Sequence, residues 1–214
     1  MSHTSGLVQD KFKTSFDMNR SELIAGCCGI ISPVLGIGLV LIATTLSGRF
    51  SWERNALSDL GVAEPAAAML FNSSLILAGV LFLCFVYGLL KQVSDDKKYR
   101  SGLAFLLAGG VSLIFIGIFT EHYGVLHFIF SAGYFILTPI GIILIGASRP
   151  SRLVSQRVRI VSIVEGSSSL FVITVAYLLL NSVGLRVGFA VPELAASLII
   201  SFWVIMIAAR LIRH

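Results

Sequence analysis

The sequence predicts an all-α membrane protein, a bundle of six transmembrane helices, and three observations carry that prediction. Of the 214 residues, 56% are apolar and only 13% charged, with a mean hydropathy of +0.92, where soluble domains carry about 25% charged residues. The apolar residues gather in six runs of suitable length, since a helix rising about 1.5 Å per residue needs about 20 residues to cross about 30 Å of hydrocarbon. The runs are apolar all round. They do not alternate over about ten residues as β-barrel strands do, and a helix satisfies its own backbone in lipid. A water-soluble fold is excluded, and no large soluble domain fits beside the spans.

Residues 1–22 form a polar, charged tail, and residues 23–212 the six-helix domain. The spans are Leu23 to Leu46, Ala66 to Leu90, Leu103 to Thr120, Val125 to Ala147, Ile160 to Leu180 and Leu194 to Leu211, each bounded by charge, Gly or Pro. The first run is about twice the length of a signal-peptide core and follows a charged tail, so no cleaved signal is expected. Ile24-Ala25-Gly26-Cys27 has the form of a lipoprotein box but begins an apolar run instead of following one, so Cys27 is expected to stay unacylated. Cys27, Cys28 and Cys84 all fall inside spans, and no structural disulfide is expected.

Orientation follows from the basic residues. The tail, the second and fourth loops and the C-terminal end hold 13 of the 16 Lys and Arg. This places both termini in the cytoplasm of a multi-pass cell-membrane protein and the first, third and fifth loops outside. The net charge of +5 is thus a topology signal, with membrane lipids as the partners it suggests and no nucleic acid.

Lipid gives apolar helices no hydrophobic reason to associate, so small residues mark their seams. Gly102, Gly109, Gly110 and Gly117, in pairs seven apart, predict one packing stripe on the third span. Pro33 with Gly36 and Gly38 predicts a kink in the first span, and Pro139 with Gly141 one in the fourth. Ser197 and Ser201 share a face of the sixth, and the short link 121–124 makes spans three and four antiparallel neighbours.

The first outward loop carries the densest polar sequence. Residues 51–61 predict a short interfacial helix, capped by Ser51, ended by Gly61 and anchored by Trp52, with Asn55, Ser58 and Asp59 on one face. Pro65 then opens the second span. Asn72, Glu121, His122 and His127 lie at the same membrane face, so a polar outward site of Asn55, Ser58, Asp59, Asn72, His122 and His127 is expected. Asp59, Glu121 and His127 are the candidate catalytic residues, as acid and base. His122, His127 and Asp59 are the candidate metal ligands, because imidazole and carboxylate together suit zinc or manganese. No cofactor is expected; zinc is the alternative. Glu165, about one and a half turns into the fifth span, should face the interior and have a partner, since a carboxylate in lipid is costly. Arg186 and Glu193 flank the fifth loop as rim charges.

The run Asn55-Ala56-Leu57-Ser58-Asp59-Leu60-Gly61, with Phe71-Asn72, Gly79, His127 and Phe130, resembles the family called domain of unknown function 998, six-span proteins of archaea and bacteria. The resemblance covers nearly the whole chain. It implies the six-span fold and weight on Asn55, Ser58, Asp59, Asn72 and His127, and it brings no reaction. The outward Ser-acid-x-Gly turn is also similar to the Frag1, DRAM and Sfk1 group, tied to lipid handling and membrane trafficking. Ser, Asp and His near a membrane face resemble the ceramidase and progestin-receptor superfamily, but that group's set of three histidines is missing.

Two functions remain open on these residues. One is the binding of a lipid, a small ligand or another membrane protein through an outward polar mouth. The other is an intramembrane lipid hydrolase or transferase using Asp59, Glu121 and His127, with or without a metal. Proton-coupled transport through Glu165 ranks below both, because no repeat or set of intramembrane charges accompanies it.

Overall fold

The computed structural model describes residues 3–92, 95–183 and 188–213, with side chains from Arg20 onward except those of residues 181 and 183. Six helices follow one another: α1 (His3–Leu46), α2 (Pro65–Leu90), α3 (Lys97–Ile118), α4 (Val125–Gly146), α5 (Gln156–Val183) and α6 (Ala190–Ile212), with short 3-10 helices at Leu57–Val62 and Glu121–Tyr123. All six contain a stretch long and apolar enough to cross a bilayer, so this is a multi-pass membrane protein. Val34, Met69, Val125, Phe171 and Phe202 turn their side chains outward, which lipid favours and water would not. Each helix packs on its neighbours in sequence and α6 returns to α1, closing a ring. α5 is the most peripheral, with only 11% of its most apolar stretch buried.

Helix ends depart from the apolar runs where polar groups extend them. α3 begins at Lys97, six residues before the run, because the Asp96 carboxylate accepts the N–H groups of Lys98 and Tyr99. The same carboxylate accepts the Arg149 N–H at 2.8 Å, which ties the α2–α3 and α4–α5 links together and holds Asp96 below the usual carboxylate range. α6 begins at Ala190, and its third residue is Pro192, at home in a first turn whose N–H groups need no helical partner.

The glycine stripe of α3 is two seams instead of one. A Cβ on Gly102 would meet Ile145 and the Gly141 carbonyl, and one on Gly109 would strike Thr138, so this pair admits α4. A Cβ on Gly110 would meet Leu83 and Phe82, and one on Gly117 the Asn72 carbonyl, so that pair admits α2. Seven residues return a helix to nearly the same face, but residues 109 and 110 point about 100° apart. One helix therefore carries two close contacts.

At the end of the bundle that holds the chain termini the core is tight. Phe85, Leu89, Leu103, Leu106, Ile207 and Leu211 are essentially inaccessible. Trp203, fully buried, donates its indole N–H to the Ser162 hydroxyl at 2.7 Å and so fastens α6 to α5. Arg159 and Arg210 donate to the carbonyls of Gly146 and Leu153, at 3.1 and 3.0 Å, covering backbone acceptors at the end of α4 and in the link that follows it.

A Gly102→Leu variant should lose about 1–3 kcal/mol of stability, the usual cost of overpacking, seen as a lower melting temperature in detergent. Gly38→Ala, with nothing near its added methyl, should melt at or above wild type.

A candidate site: the lid and cavity at the loop end

The opposite end, formed by the α1–α2, α3–α4 and α5–α6 loops, is organised around the first of them. No single helix spans residues 51–61. Residues 52–54 make a turn, and the 3-10 helix covers Leu57–Val62. The reason lies in where the backbone groups go. Gly188 and Ala190 donate their N–H groups to the Glu53 and Asn55 carbonyls, at 2.6 and 2.9 Å, so those carbonyls are not available to an ordinary helix. The Ser51 N–H goes to the Asn55 side chain at 2.9 Å and the Ala56 N–H to the Asp59 carboxylate at 3.0 Å. Local side chains thus compete with helix formation and win. Gly188 is required by this contact, since any Cβ there would collide with the Asn55 backbone. Trp52 does not anchor a separate interfacial helix; its ring meets Phe50 edge to face and packs with it against Val40, Leu57 and Leu60.

Five polar contacts hold the lid together and fix it to its neighbours. Asn55 donates to Asp59 at 2.6 Å, Ser58 to Glu121 at 2.6 Å, and Asn72 to the Gly61 carbonyl at 3.0 Å. Ser47 donates to Glu64 at 2.7 Å, which holds that half-buried residue's carboxylate below its usual range. The Leu57 N–H donates to Glu193 Oε2 at 2.6 Å. Glu193 is only 8% exposed, so it is no rim charge but a buried acceptor in the first turn of α6. The apolar run in the sequence begins one residue after it; Pro192 was the available sign that the helix starts sooner. Arg186 lies outside the described residues.

Beneath the lid is a hollow lined by every helix except α5. Its walls are mostly apolar. Ser58 lines it from the lid and Glu193 from the first turn of α6, Ser197 and Ser201 continue from Glu193 at one-turn intervals down α6, and Ser131 and Tyr134 line it from α4. A polar stripe therefore descends from the roof into an apolar interior of Phe71, Leu75, Phe82, Leu113 and Ile116.

The residues expected at the site divide accordingly. Ser58 reaches the cavity; Asp59, with Asn55, borders a separate hollow on the outer side of the lid. Glu121 joins lid to α4 and is influenced by both Asp59 and His127. His127 is buried, with Nδ1 2.7 Å from the Phe119 carbonyl and Nε2 3.3 Å from the Ser131 hydroxyl. A carbonyl only accepts, so Nδ1 carries the proton and Nε2 is left to accept from Ser131. His122 is exposed on the 3-10 helix Glu121–Tyr123, away from these contacts, and the turn into α4 is completed by Gly124 at φ +50°. His122, His127 and Asp59 do not form a ligand set, for no group of three His, Cys, Asp or Glu among the described residues is placed to hold a metal. Among the described residues Glu165 Oε2 is buried without the partner expected of it.

Burial holds the Glu121 carboxyl above its usual range, partly offset by the Ser58 hydroxyl and reinforced by the neighbouring Asp59. A raised carboxyl pKa stabilises the fold below the ordinary value, and that contribution is lost as pH rises through the raised one. The melting temperature of wild type relative to Glu121→Gln should therefore fall as pH climbs from acid towards neutral. Taking the difference removes the opposing contribution of Glu64. Glu193→Ala, which strands the Leu57 N–H, should cost about 1–3 kcal/mol, while Glu193→Gln keeps an acceptor and should cost less in the same melts.

Comparison with known proteins identifies the chain by family alone. No curated protein and no solved structure matches it. The family model described as "Protein of unknown function (DUF998)" matches residues 30–210, which takes in the lid, the residues lining the cavity and at least the greater part of each span. The chain belongs to the DUF998 family of proteins of unknown function.

Proposed function

We propose that the protein binds one amphiphilic molecule, a membrane lipid or a lipid-like small ligand, with its apolar body inside the bundle and its polar head under the lid. The observation that carries this reading is the graded cavity: acid and hydroxyl groups at the roof, hydroxyls along one wall and apolar side chains below. Binding sites for small molecules are commonly apolar hollows with a few well-placed polar groups that fix orientation. Serines at one-turn spacing on α6 offer donors and acceptors at successive depths without the cost of buried charge.

The excess of Lys and Arg at the terminal end supports a cell-membrane orientation with both chain ends in the cytoplasm and the lid outside. In a background where Cys27, Cys28 and Cys84 are replaced by Ser, a membrane-impermeant maleimide should label Arg49→Cys in intact cells and leave Lys91→Cys unlabelled; the reverse pattern would invert the topology.

One contact favours catalysis as a second reading. Ser131 faces the cavity and hydrogen-bonds the accepting nitrogen of His127, the pairing of a nucleophile with its base in acyl transfer. A fluorophosphonate that labels wild type but not Ser131→Ala would promote this hydrolase or transferase reading, and the absence of labelling would remove it.

The binding reading is tested by filling the hollow. Ser197→Phe places a ring in the cavity, so it should fold with a melting temperature near that of wild type and lose the lipid that native mass spectrometry finds on wild-type protein. Equal lipid on both would sink the reading.

A further inference from the structure

We infer that the head of the bound amphiphile is a cation, an ammonium group seated against Glu193, an inference that deepens the binding reading and rests on it. Glu193 is more than nine-tenths buried and lines the cavity. Its Oε2 is taken by the Leu57 N–H at 2.6 Å, while its Oε1 bonds to no group among the described residues. That leaves a carboxylate oxygen at the roof of an apolar hollow with no partner from the protein.

The surroundings add negative charge. Glu121 and Asp59 both lie close enough for their charges to act on Glu193. No Lys, Arg or His is among the residues that line the cavity. Among the described residues the one ion pair joins Arg149 to Asp96, at the opposite end of the bundle. A buried carboxylate without a counter-charge is costly, and a ligand that brings the counter-charge recovers that cost on binding.

An ammonium group is all donor, and the roof is largely acceptor. Glu193 Oε1 supplies the charge-assisted bond, and the Ser197 hydroxyl, one turn below on the same face, supplies a neutral acceptor. Tyr134 and Phe71 add aromatic faces to the same cavity, which attract a desolvated cation. A phosphate or carboxylate head would instead meet the Glu193 carboxylate, with Glu121 and Asp59 close behind it, and repulsion in a poorly screened site would exclude it.

The test uses three probes with one twelve-carbon chain, dodecylamine, dodecanol and dodecanoate, titrated onto the purified full chain in a neutral maltoside detergent and read by native mass spectrometry. Dodecylamine should bind wild type at least about tenfold more tightly than dodecanol, a difference of about 1.4 kcal/mol, with dodecanoate weakest. Glu193→Gln should bind amine and alcohol alike, and the comparison between proteins cancels partition into the micelle. Should Glu193→Gln fail to fold, Glu121→Gln should narrow the preference in the same direction. Equal binding of amine and alcohol by wild type, or a preference for dodecanoate, would overturn the cationic head and leave the amphiphile reading standing. Binding of none of the three, or binding undiminished by Ser197→Phe, would overturn both.

Discussion

A single hydrogen bond, from the Leu57 N–H to the buried carboxylate of Glu193, joins the first loop of the chain to the first turn of its last helix, and the architecture of the loop end follows from it. At the start of a 3-10 helix the N–H of Leu57 has no partner within its own turn, and an amide left unpaired at an apolar boundary carries a penalty of about 1–3 kcal/mol. Glu193 removes that penalty from 136 residues away. With Leu57 fixed, Ser58 falls against Glu121 and Asn55 against Asp59, and the chain before them lies along the residues that enter α6. The lid is a set of mutually satisfied polar groups, and each member depends on the others being in place.

The two ends of the bundle solve different problems. At the terminal end, large apolar side chains fill the space between helices, and Trp203, Arg159 and Arg210 cover the few polar groups that remain. The hollow end keeps its shape through close backbone contacts. Gly109 and Gly117 bring α3 against α4 and α2, and those contacts let the walls stand around a space that side chains do not fill. Helices that meet through glycine need no bulky residue between them, so the room inside the ring survives beside tight seams.

Charge follows the same division. The basic residues cluster at the terminal end, where they meet carbonyls and Asp96. The loop end gathers Asp59, Glu121 and Glu193. In a low-dielectric setting a group of carboxyls resists full ionisation unless something positive joins it. That tension, created by the fold and left unrelieved by any residue lining the cavity, is the feature a ligand would relieve.

The six spans and the antiparallel packing of α3 on α4 were legible in the sequence, because lipid imposes a requirement that every residue in a run must meet and composition alone reveals it. That Ser58, Asp59, Asn72, Glu121 and His127 gather at one end of the bundle was legible too. What they do was not. Asn55 and Asp59 spend their polar atoms on the lid's own backbone, His127 turns to Ser131, and His122 stays outside, all decided by contacts between segments far apart in the chain. The division of the α3 glycines between two partners depended on where α2 and α4 stood, which no periodicity within α3 encodes. Glu193 is the clearest case: beside an apolar run it reads as a charge at the rim. Only the tertiary structure brings an unpaired N–H within 2.6 Å of it and a cavity beneath it, because burial is a property of what surrounds a residue, and hydropathy records only the residue itself.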